Sequence, residues 1–404
     1  MKYKLLSSIF YSNNSQYDDI YNQRFNSEST YKFNFDINGN QAFVVINSEL
    51  LQKNNKIMTL DKTLSRLMQE LPGIALNQYI KTCLIDEIKM TNEIEGVYST
   101  RKEINDIIEN IKKDSKRDRL YGLVKKYELL LNENIELNTY KDIRNLYNDL
   151  VLKEVVGDDA RNKPDGKIFR ANPVHVQSAT GKNIHDGLYP EDLIIEGMTN
   201  AINILNNDDY DLLIRISVFH YMFGYIHPFY DGNGRTSRFI SSYLLSRQLQ
   251  VLVSYRLSCE IKENINSYYK SFKIANDPLN KGDLTSFVLR FYDILIKSLD
   301  ELCNSLISKG QKLDYYEEIV AKICNEDIKL QEVLSILVQN TLFGEQGLSV
   351  IEIQKILKST IVDMGESKIR KLLSSLEDKK LLLIQKEGRR YLYNVDINKL
   401  ILNK

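Results

Sequence analysis

Helical periodicity dominates this sequence of 404 residues after the first 60 or so positions. Apolar residues recur there at steps of three and four, which places them on one face of a helix. Ile80, Leu84 and Ile88 are an example. Only six prolines occur, and the one confident strand, at residues 41–46, follows an Asn-Gly-Asn turn. The pattern predicts a mainly α fold with a small α+β region over residues 1–75.

Charge and cysteine usage exclude several classes of protein. Lys and Arg number 54, as do Asp and Glu, so the formal net charge is zero. A chain-wide basic surface for nucleic acid or anionic membrane is therefore excluded, whereas a local one is not. The four cysteines form no Cys-x-x-Cys pair, which excludes a zinc ribbon and a disulfide scaffold. Without a signal peptide or a stretch of about 18 apolar residues, the expected location is cytoplasmic, with no membrane partner.

A cluster of glycines and prolines interrupts the helical pattern at residues 157–190. Residues 168–170 and 174–176 are predicted to be two short extended segments within it. A connection of about 30 residues inside a helical domain is uncommon, and such loops are often functional. Helices are predicted again from residue 190 to about residue 315.

The C-terminal region, residues 320–404, shows a different order of elements. Three helices and a two-strand hairpin are predicted, at residues 328–339, 349–357, 366–378, 381–385 and 391–395. This order is typical of a winged-helix domain. Residues 366–390 contain eight basic and four acidic side chains, a surplus that could contact DNA. The acidic residues that end the last helix make DNA the less favoured partner, and dimerisation or substrate docking are the alternatives.

The segment 227–238, His-Pro-Phe-Tyr-Asp-Gly-Asn-Gly-Arg-Thr-Ser-Arg, concentrates residues that suit catalysis. Apolar helical sequence precedes it and amphipathic helical sequence follows it. Gly232, Asn233 and Gly234 are therefore predicted where a loop enters a helix. Backbone N–H groups and the helix dipole at such a junction form an anion site suited to phosphate.

Four side chains around this junction complete a candidate site. Arg235 and Arg238 lie on one face of the first helical turn and can bind further phosphate oxygens. Asp231 offers a hard oxygen ligand for Mg²⁺. His227 has a side chain whose ordinary pKa suits proton transfer near neutral pH. Gly-Asn-Gly alone would indicate only a helix N-terminus, but with these four residues the segment predicts a phosphate site with a base and a metal ligand.

The pattern His-Pro-Phe-x-Asp-Gly-Asn-Gly-Arg-x-x-Arg resembles the complete motif of Fic-domain proteins. The resemblance implies an all-helical Fic core, over about residues 76–315, that transfers AMP from ATP to a Ser, Thr or Tyr hydroxyl of a protein. It implies that His227 is the base, that Phe229 anchors the loop and that Asp231 holds Mg²⁺. The phosphate-binding residues that it implies are Gly232, Asn233, Gly234, Arg235 and Arg238. Doc-type kinases have a lysine where Gly234 stands, which favours AMP transfer, although phosphocholine-transferring members share the motif.

A second match, Thr91-Asn92-Glu93-Ile94-Glu95-Gly96, resembles the inhibitory pattern of the same family, Ser/Thr-x-x-x-Glu-Gly/Asn. Glu95 would form a bidentate pair with Arg238 and occupy the place of the γ-phosphate. ATP would then bind in a pose unfit for in-line attack. The resemblance implies an inhibitory helix at about residues 77–96, with Thr91 and Glu95 as its functional residues. The alternative is a surface glutamate before a glycine that ends a helix.

Two further segments resemble binding sites of Fic domains. Tyr268, Tyr269 and Asn276, followed by residues 282–284, are similar to the segment that lines the adenine pocket, although packing of tyrosines in the core explains them equally well. The insertion at about 168–190 corresponds to the flap of the family, which binds a target peptide by strand pairing.

Two functions of different classes are compatible with these patterns. The first is a self-inhibited AMP transferase that modifies a protein, itself included. The second is a winged-helix DNA-binding regulator whose Fic core senses nucleotide; a de-AMPylating activity that uses Glu95 is a further alternative. A sensor needs no base, so His227 favours the enzyme. A homodimer is left open, and His220 is expected to serve core packing.

Overall fold

The computed structural model describes residues 3–111, 118–177, 183–358, 362–388 and 390–402. Helices predominate, which confirms the mainly α fold. They are α1 (Leu6–Ser12), α2 (Tyr17–Phe25), α3 (Ser48–Glu70), α4 (Gly73–Ile94), α5 (Arg101–Asn110), α6 (Tyr121–Glu128), α7 (Tyr140–Tyr147), α8 (Lys153–Asp158), α9 (Glu191–Leu205), α10 (Leu212–Ile226), α11 (Asn233–Gln248), α12 (Val251–Ser254), α13 (Leu257–Glu263), α14 (Ile265–Ala275), α15 (Thr285–Cys324), α16 (Ile328–Phe343), α17 (Val350–Leu357), α18 (Glu366–Asp378) and α19 (Ile397–Leu402). The strands are β1 (Thr30–Ile37), β2 (Asn40–Val45), β3 (His175–Gln177), β4 (Asn183–Asp186), β5 (Leu382–Glu387) and β6 (Arg390–Val395).

The chain divides into two compact units. One comprises Met1–Lys62 and Leu84–Asp300, and the other comprises Thr63–Cys83 and Glu301–Lys404. The divisions fall within α3, α4 and α15, so each of these helices contributes residues to both units. The helical run predicted to end near residue 315 continues to Cys324.

The first unit begins with an antiparallel hairpin of β1 and β2. Asn38 and Gly39 at its turn have φ angles of 50° and 77°, the conformation that a tight two-residue hairpin turn requires. Phe33, Phe35 and Ile37 of β1 are buried, whereas the residues between them are exposed. β2 agrees with the strand predicted at 41–46. β1 is not among the predicted elements, although the alternation of polar and apolar residues over 30–37 was the available signal.

The core of the first unit surrounds α10. Twelve of its 15 residues are buried, as expected for a helix that is apolar on nearly all sides. Asp211 begins the helix by accepting hydrogen bonds from the N–H groups of Leu213 and Ile214. The helix ends at Ile226 and α11 begins at Asn233, so the segment between them is a loop held between two buried helices, as predicted.

The structure corrects one of the two extended segments predicted between residues 157 and 190. Residues 168–170 form no strand, because the carboxylate of Glu191 accepts hydrogen bonds from the N–H groups of Lys167, Ile168 and Phe169. The hairpin lies further along: β3 pairs antiparallel with β4, with His175 opposite Asp186. Residues 178–182, within the predicted flap, lie outside the described residues.

The second unit contains the C-terminal elements. Ser349 and Glu352 form the capping box that begins α17, and β5 pairs with β6 in register from Leu382 opposite Val395 to Glu387 opposite Arg390. Helices and hairpin follow the predicted order, while their assignment as a winged-helix domain stays a prediction. Arg389, one of the eight basic residues, lies outside the described residues. Within the described ranges, every helix is too short or too polar to cross a bilayer.

Candidate active site

The loop between α10 and α11 begins with a residue in an uncommon conformation. His227 has φ 52° and ψ 64°, in the left-handed region that residues other than glycine rarely adopt. Two residues later, Phe229 is fully buried and stacks on Tyr147, with ring centroids 3.6 Å apart and an interplanar angle of 9°. The structure thus places Phe229 in the core, where the sequence analysis expects the anchor of the loop.

Gly232, the residue before α11, is required on two counts. Its φ is 80°, and a Cβ here would lie 2.9 Å from Val151 and 3.2 Å from Tyr147. Its N–H donates a hydrogen bond of 2.5 Å to Oδ1 of Asp231. Glycine therefore lets the chain turn sharply into α11 while it packs against the segment that follows α7.

The side chain of Asn233 braces the loop. Its Oδ1 accepts a hydrogen bond from the N–H of Phe229 (2.9 Å), and its Nδ2 donates one to the carbonyl of Phe229 (2.8 Å). Both ends of the amide are therefore engaged. The backbone N–H of Asn233 and that of Gly234 remain available to the predicted phosphate site, since the first N–H groups of a helix have no acceptor within it.

A cavity of about 220 Å³ lies beside the N-terminus of α11. It brings together eight of the predicted site residues: Glu95, His227, Asn233, Gly234, Arg238, Tyr268, Tyr269 and Asn276. Four others, Thr91, Asp231, Gly232 and Arg235, are not among the described residues that line it. His175, His185, His220 and Ser237 line it as well, and the sequence analysis gives none of them a role there.

Arg238 is hydrogen-bonded to both of the predicted inhibitory residues. Its Nη2 donates a hydrogen bond to Oε1 of Glu95 (2.7 Å) and another to the carbonyl of Thr91 (3.0 Å), and its Nε donates to Oγ1 of Thr91 (2.8 Å). The predicted bidentate pair is therefore a single charge-assisted hydrogen bond, because Thr91 takes the Nε donor. Burial is the largest influence on the pKa of Glu95 and raises it, but the charge and hydrogen bond of Arg238, together with the charge of Arg235, hold that pKa below its usual value.

Gly234 lies directly beneath this ion pair. A Cβ built on Gly234 would fall 2.0 Å from Oε1 of Glu95 and 2.8 Å from Nη1 of Arg238. The absence of a side chain at position 234 is thus what lets the carboxylate of Glu95 rest against the first turn of α11.

Arg235 is paired with a different glutamate, which is not among the described residues that line the cavity. Its Nη1 donates to Oε2 of Glu154 at 2.7 Å, and the two side chains are only 1% and 2% exposed. Burial raises the pKa of Glu154, and the charge of Arg235 opposes that rise. The predicted contact of Arg235 with outer phosphates has no counterpart in the geometry of the cavity. Glu154 is a partner that the sequence analysis misses; a glutamate within the apolar run 150–156 was the available signal.

Asp231 fits a role as a ligand for Mg²⁺. Its side chain is 42% exposed, and Oδ2 lies 3.8 Å from Nη2 of Arg235. A partly solvated carboxylate beside a phosphate site matches the preference of Mg²⁺ for one or two carboxylates together with phosphate and water.

His227 lines the cavity as a neutral base. Burial lowers its pKa to about 4; Arg170 acts in the same direction, while Glu95 and the carbonyl of Gly224 favour protonation. Its Nδ1 is buried and makes no hydrogen bond of normal geometry with the described residues. At neutral pH the imidazole is therefore uncharged and can accept a proton.

His220 is buried, as expected, but it also belongs to a hydrogen-bonded chain at the cavity. Ser241 donates to the carbonyl of Ser237 (2.9 Å), so its oxygen accepts from Nδ1 of His220 (2.9 Å). Nε2 of His220 is then the acceptor for the hydroxyl of Tyr268 (2.7 Å). Burial lowers the pKa of His220 to about 3, which keeps the imidazole neutral in this chain.

The predicted adenine segment separates into two parts. Asn276 lines the cavity, and its Oδ1 accepts from the hydroxyl of Tyr221 (2.6 Å), which leaves its Nδ2 as the group free to turn towards a ligand. Asp283 instead accepts a hydrogen bond from the hydroxyl of Tyr3 (2.6 Å), and the carbonyl of Gly282 accepts from the N–H of Phe43. Residues 282–284 therefore contact the N-terminal region of the first unit and are not among the described residues that line the cavity.

Comparisons with known proteins agree with this geometry. Residues 137–245 match the model of the Fic/DOC family, and this range includes the segment 227–238. The protein adenylyltransferase Fic of Drosophila ananassae is 28% identical over 234 residues, which are 56% of this chain and 43% of that protein. The Drosophila mojavensis protein of the same name is 35% identical over 139 residues, 34% of this chain and 24% of that protein.

The chain thus spans less than half the length of the curated relatives it matches. Among solved structures, a Fic family protein from Desulfovibrio desulfuricans G20 superposes with a TM-score of 0.52 at 17% identity. The superposition covers 87% of this chain and 97% of that one. At this identity the likeness concerns the fold.

Proposed function

We propose that this protein transfers AMP from ATP to a Ser, Thr or Tyr hydroxyl of a protein, and that Glu95 inhibits the transfer. The observation that carries the proposal is the meeting of three features in one cavity: neutral His227, the N-terminus of α11, and the Arg238–Glu95 ion pair. The match of residues 137–245 to the Fic/DOC family and the similarity to proteins named protein adenylyltransferase support the reaction class.

In the proposed reaction, the N-terminus of α11 binds the phosphates of ATP. The hydroxyl oxygen of the target attacks the α-phosphorus; a new P–O bond forms, the bond from this phosphorus to the bridging oxygen breaks, and pyrophosphate leaves. His227 takes the proton of the hydroxyl. Because Nδ1 of His227 is buried, Nε2 is the nitrogen proposed to accept it.

Asp231 is the proposed ligand for Mg²⁺, which would neutralise charge on the phosphates. Arg238 lines the cavity and is the proposed partner of the terminal phosphate. Arg235 is 1% exposed and is not among the described residues that line the cavity, so for Arg235 we propose a role through its proximity to Asp231.

The inhibition follows from competition for Arg238. The carboxylate of Glu95 engages Nη2 and rests on Gly234, where an anion bound at the helix N-terminus would lie. A terminal phosphate at the same place would be repelled by the ionised carboxylate. ATP that enters beside Glu95 is therefore proposed to bind with its α-phosphate away from His227.

The far end of the cavity is proposed to bind adenine. Tyr269 and Phe272 offer ring faces, and Asn276 has its amide nitrogen free. A purine nitrogen with a lone pair would accept from this amide. Tyr268 is buried and tied to His220, so its proposed contribution is to shape the wall.

Several parts of the hypothesis stay predictions. They are the boundaries 1–75, 76–315 and 320–404, pairing of the flap at 168–190 with a target strand, a winged-helix domain, DNA contact through 366–390, a homodimer, de-AMPylation through Glu95, and a cytoplasmic location.

The proposal is tested by incubating the full-length protein with ATP labelled at the α-phosphate, Mg²⁺ and a lysate. We expect Glu95→Gly to label itself or a lysate protein more strongly than the parent does, and His227→Ala in the same background to abolish the label. The matched control is Glu93→Gly, because Glu93 lies two residues away and pairs with Lys262 outside the cavity. Label from the γ-phosphate would indicate a kinase, and absence of label in Glu95→Gly would overturn the proposal.

A further inference from the structure

Arg170 is a buried cation without an acidic partner among the described residues. Its side chain is fully buried, and every hydrogen bond that the guanidinium makes there goes to a backbone carbonyl. Burial lowers the pKa of Arg170, which shows the cost of placing the charge in this position. A buried charge of this kind needs full hydrogen bonding to persist, so the arrangement around Arg170 is strongly specified.

The three carbonyls belong to three separate segments. Nε donates to the carbonyl of His227 (2.9 Å), Nη1 to that of Asn172 (2.7 Å) and Nη2 to that of Leu188 (2.7 Å). Asn172 precedes β3 and Leu188 follows β4. One planar guanidinium therefore joins both ends of the β3–β4 hairpin to the backbone of the proposed base.

The surroundings of Arg170 leave little freedom for this arrangement. A Cβ on Gly187 would lie 2.6 Å from Nη2 of Arg170 and 3.1 Å from Cβ of His227. The N–H of Leu188 donates to the carbonyl of Ile226, the residue before His227. The left-handed conformation of His227, which is costly outside glycine, is thus held from two sides.

We propose that Arg170 is a positioning residue for AMP transfer: it fixes the backbone of His227 and sets the hairpin, which is the predicted binding site of the target, against it. The inference rests on the proposed function and deepens it, because it couples the location of the base to the location of the hydroxyl that the base must deprotonate. Displacement of a reacting group by about 1 Å can lower a rate by about 10²-fold.

The charge of Arg170 adds a second, measurable consequence. The groups that act on the pKa of His227 are Arg170 and His185, which lower it, and Glu95 with the carbonyl of Gly224, which raise it. Removal of the positive charge at position 170 should therefore raise the pKa of His227. The low-pH limb of the pH–rate profile would then move to higher pH. Burial is the largest influence that lowers this pKa, so hydration of a loosened site would move the limb in the same direction, and a variant that loosens the same contacts but keeps the charge is needed to separate the two effects.

The experiment compares three variants of the full-length protein in the Glu95→Gly background: Arg170→Lys, Arg170→Met and Gly187→Ala. We expect each to lower the maximal labelling rate by about tenfold or more while the KM for ATP changes by less than about twofold, since Arg170 does not line the cavity. The low-pH limb should shift upward in Arg170→Met and stay in place in Arg170→Lys, which keeps the charge but cannot bind three carbonyls. Gly187→Ala is the second route to the same test if Arg170→Met does not fold.

The matched control is Arg161→Met, since Arg161 is 90% exposed and pairs with Asp159 on the surface. Labelling by Arg170→Lys and Gly187→Ala at the rate of the background enzyme would overturn the inference while leaving the proposed function intact. A low-pH limb in a folded Arg170→Met that coincides with that of the background enzyme would also overturn it. Loss of labelling in the Glu95→Gly background itself would instead count against the proposed function.

Discussion

Arg235 and Arg238 stand three residues apart on α11, and each donates to a glutamate from another segment of the chain at 2.7 Å. The two ion pairs differ in their surroundings. Glu154 is 2% exposed and lies away from the cavity, whereas Glu95 is 25% exposed and lines it. The two ion pairs therefore differ although their distances are equal. The Arg235–Glu154 pair is enclosed in the core. The Arg238–Glu95 pair lines the cavity, where a ligand is proposed to take the place of Glu95.

The pKa directions of the two acids show the same difference. Burial keeps the pKa of Glu154 above its usual value despite Arg235, while Arg238 brings the pKa of Glu95 below its usual value despite burial. Arg238 also has the hydroxyl and carbonyl of Thr91, so it remains hydrogen-bonded when Glu95 leaves. An ion pair can act as a switch when its cation has a second set of partners.

The largest expected effect concerns stability. Glu154→Ala should lower the free energy of unfolding by about 3–5 kcal/mol, because it leaves the charge of Arg235 buried without a partner. Glu95→Ala should lower it by about 1 kcal/mol or less, since water in the cavity can solvate Arg238. Denaturant or thermal unfolding of both variants measures the difference. The double variant Glu154→Met/Arg235→Met is the control and should recover stability; equal losses in the two single variants would remove the distinction between the pairs.

The next effect concerns activity. Glu95→Gln and Glu154→Gln each remove one negative charge and keep the shape of the side chain. Loss of one charge-assisted hydrogen bond is worth about 1.5–3 kcal/mol, so labelling from α-labelled ATP should rise about 10–150-fold in Glu95→Gln. It should not rise in Glu154→Gln. An increase in Glu154→Gln as large as that in Glu95→Gln would mean that Arg235 is held in reserve for phosphate.

Thr91→Val should release part of the inhibition. Valine has nearly the same shape, but it lacks the hydroxyl that accepts from Nε of Arg238, and the carbonyl of residue 91 remains. Loss of one hydrogen bond worth about 0.5–1.5 kcal/mol predicts a rise in labelling of about 2–10-fold. Thr82→Val, on the same helix, is the control because Thr82 bonds the carbonyl of Phe343 instead. Labelling unchanged by Thr91→Val would show that the helix holds Glu95 in place without this contact.

The smallest effect is expected from pH. A carboxylate whose pKa is lowered in the folded protein keeps its ionic contact above that pKa and loses it only as pH falls through that value. The ratio of labelling by Glu95→Gly to labelling by the parent should therefore change less than about twofold between pH 6 and 8. The measurement is this ratio at intervals of half a pH unit. A ratio that falls steeply below pH 7 would contradict the proposal that Glu95 is ionised in the inhibited state.

Much of the site follows from short-range sequence patterns. Gly232 and Asp231 indicate the start of α11. Thr91 lies in the last turn of α4 and Glu95 directly follows this helix, and their spacing lets both contact Arg238. These features involve residues that are close in the sequence or one helical turn apart, so residue spacing is enough to predict them.

The contacts that sequence analysis misses join distant segments. Glu154 reaches Arg235 across 81 positions, and Arg170 reaches His227 across 57. Neither partner is marked by a motif, because a guanidinium can donate to any carbonyl or carboxylate oxygen that the fold presents. The predicted strand at 168–170 fails for a similar reason, since Glu191 satisfies its N–H groups before a strand can.

Glu95 and Arg238 belong to the same chain, and this determines how the proposed inhibition depends on the concentration of the protein. The proposed inhibitor belongs to the chain that it would inhibit, so its effective concentration would depend on geometry and not on how much protein is present. Inhibition of this kind acts equally at the lowest and the highest levels of expression. Relief of the proposed inhibition would then require a change in the placement of Glu95 or a ligand that binds Arg238 better than Glu95 does.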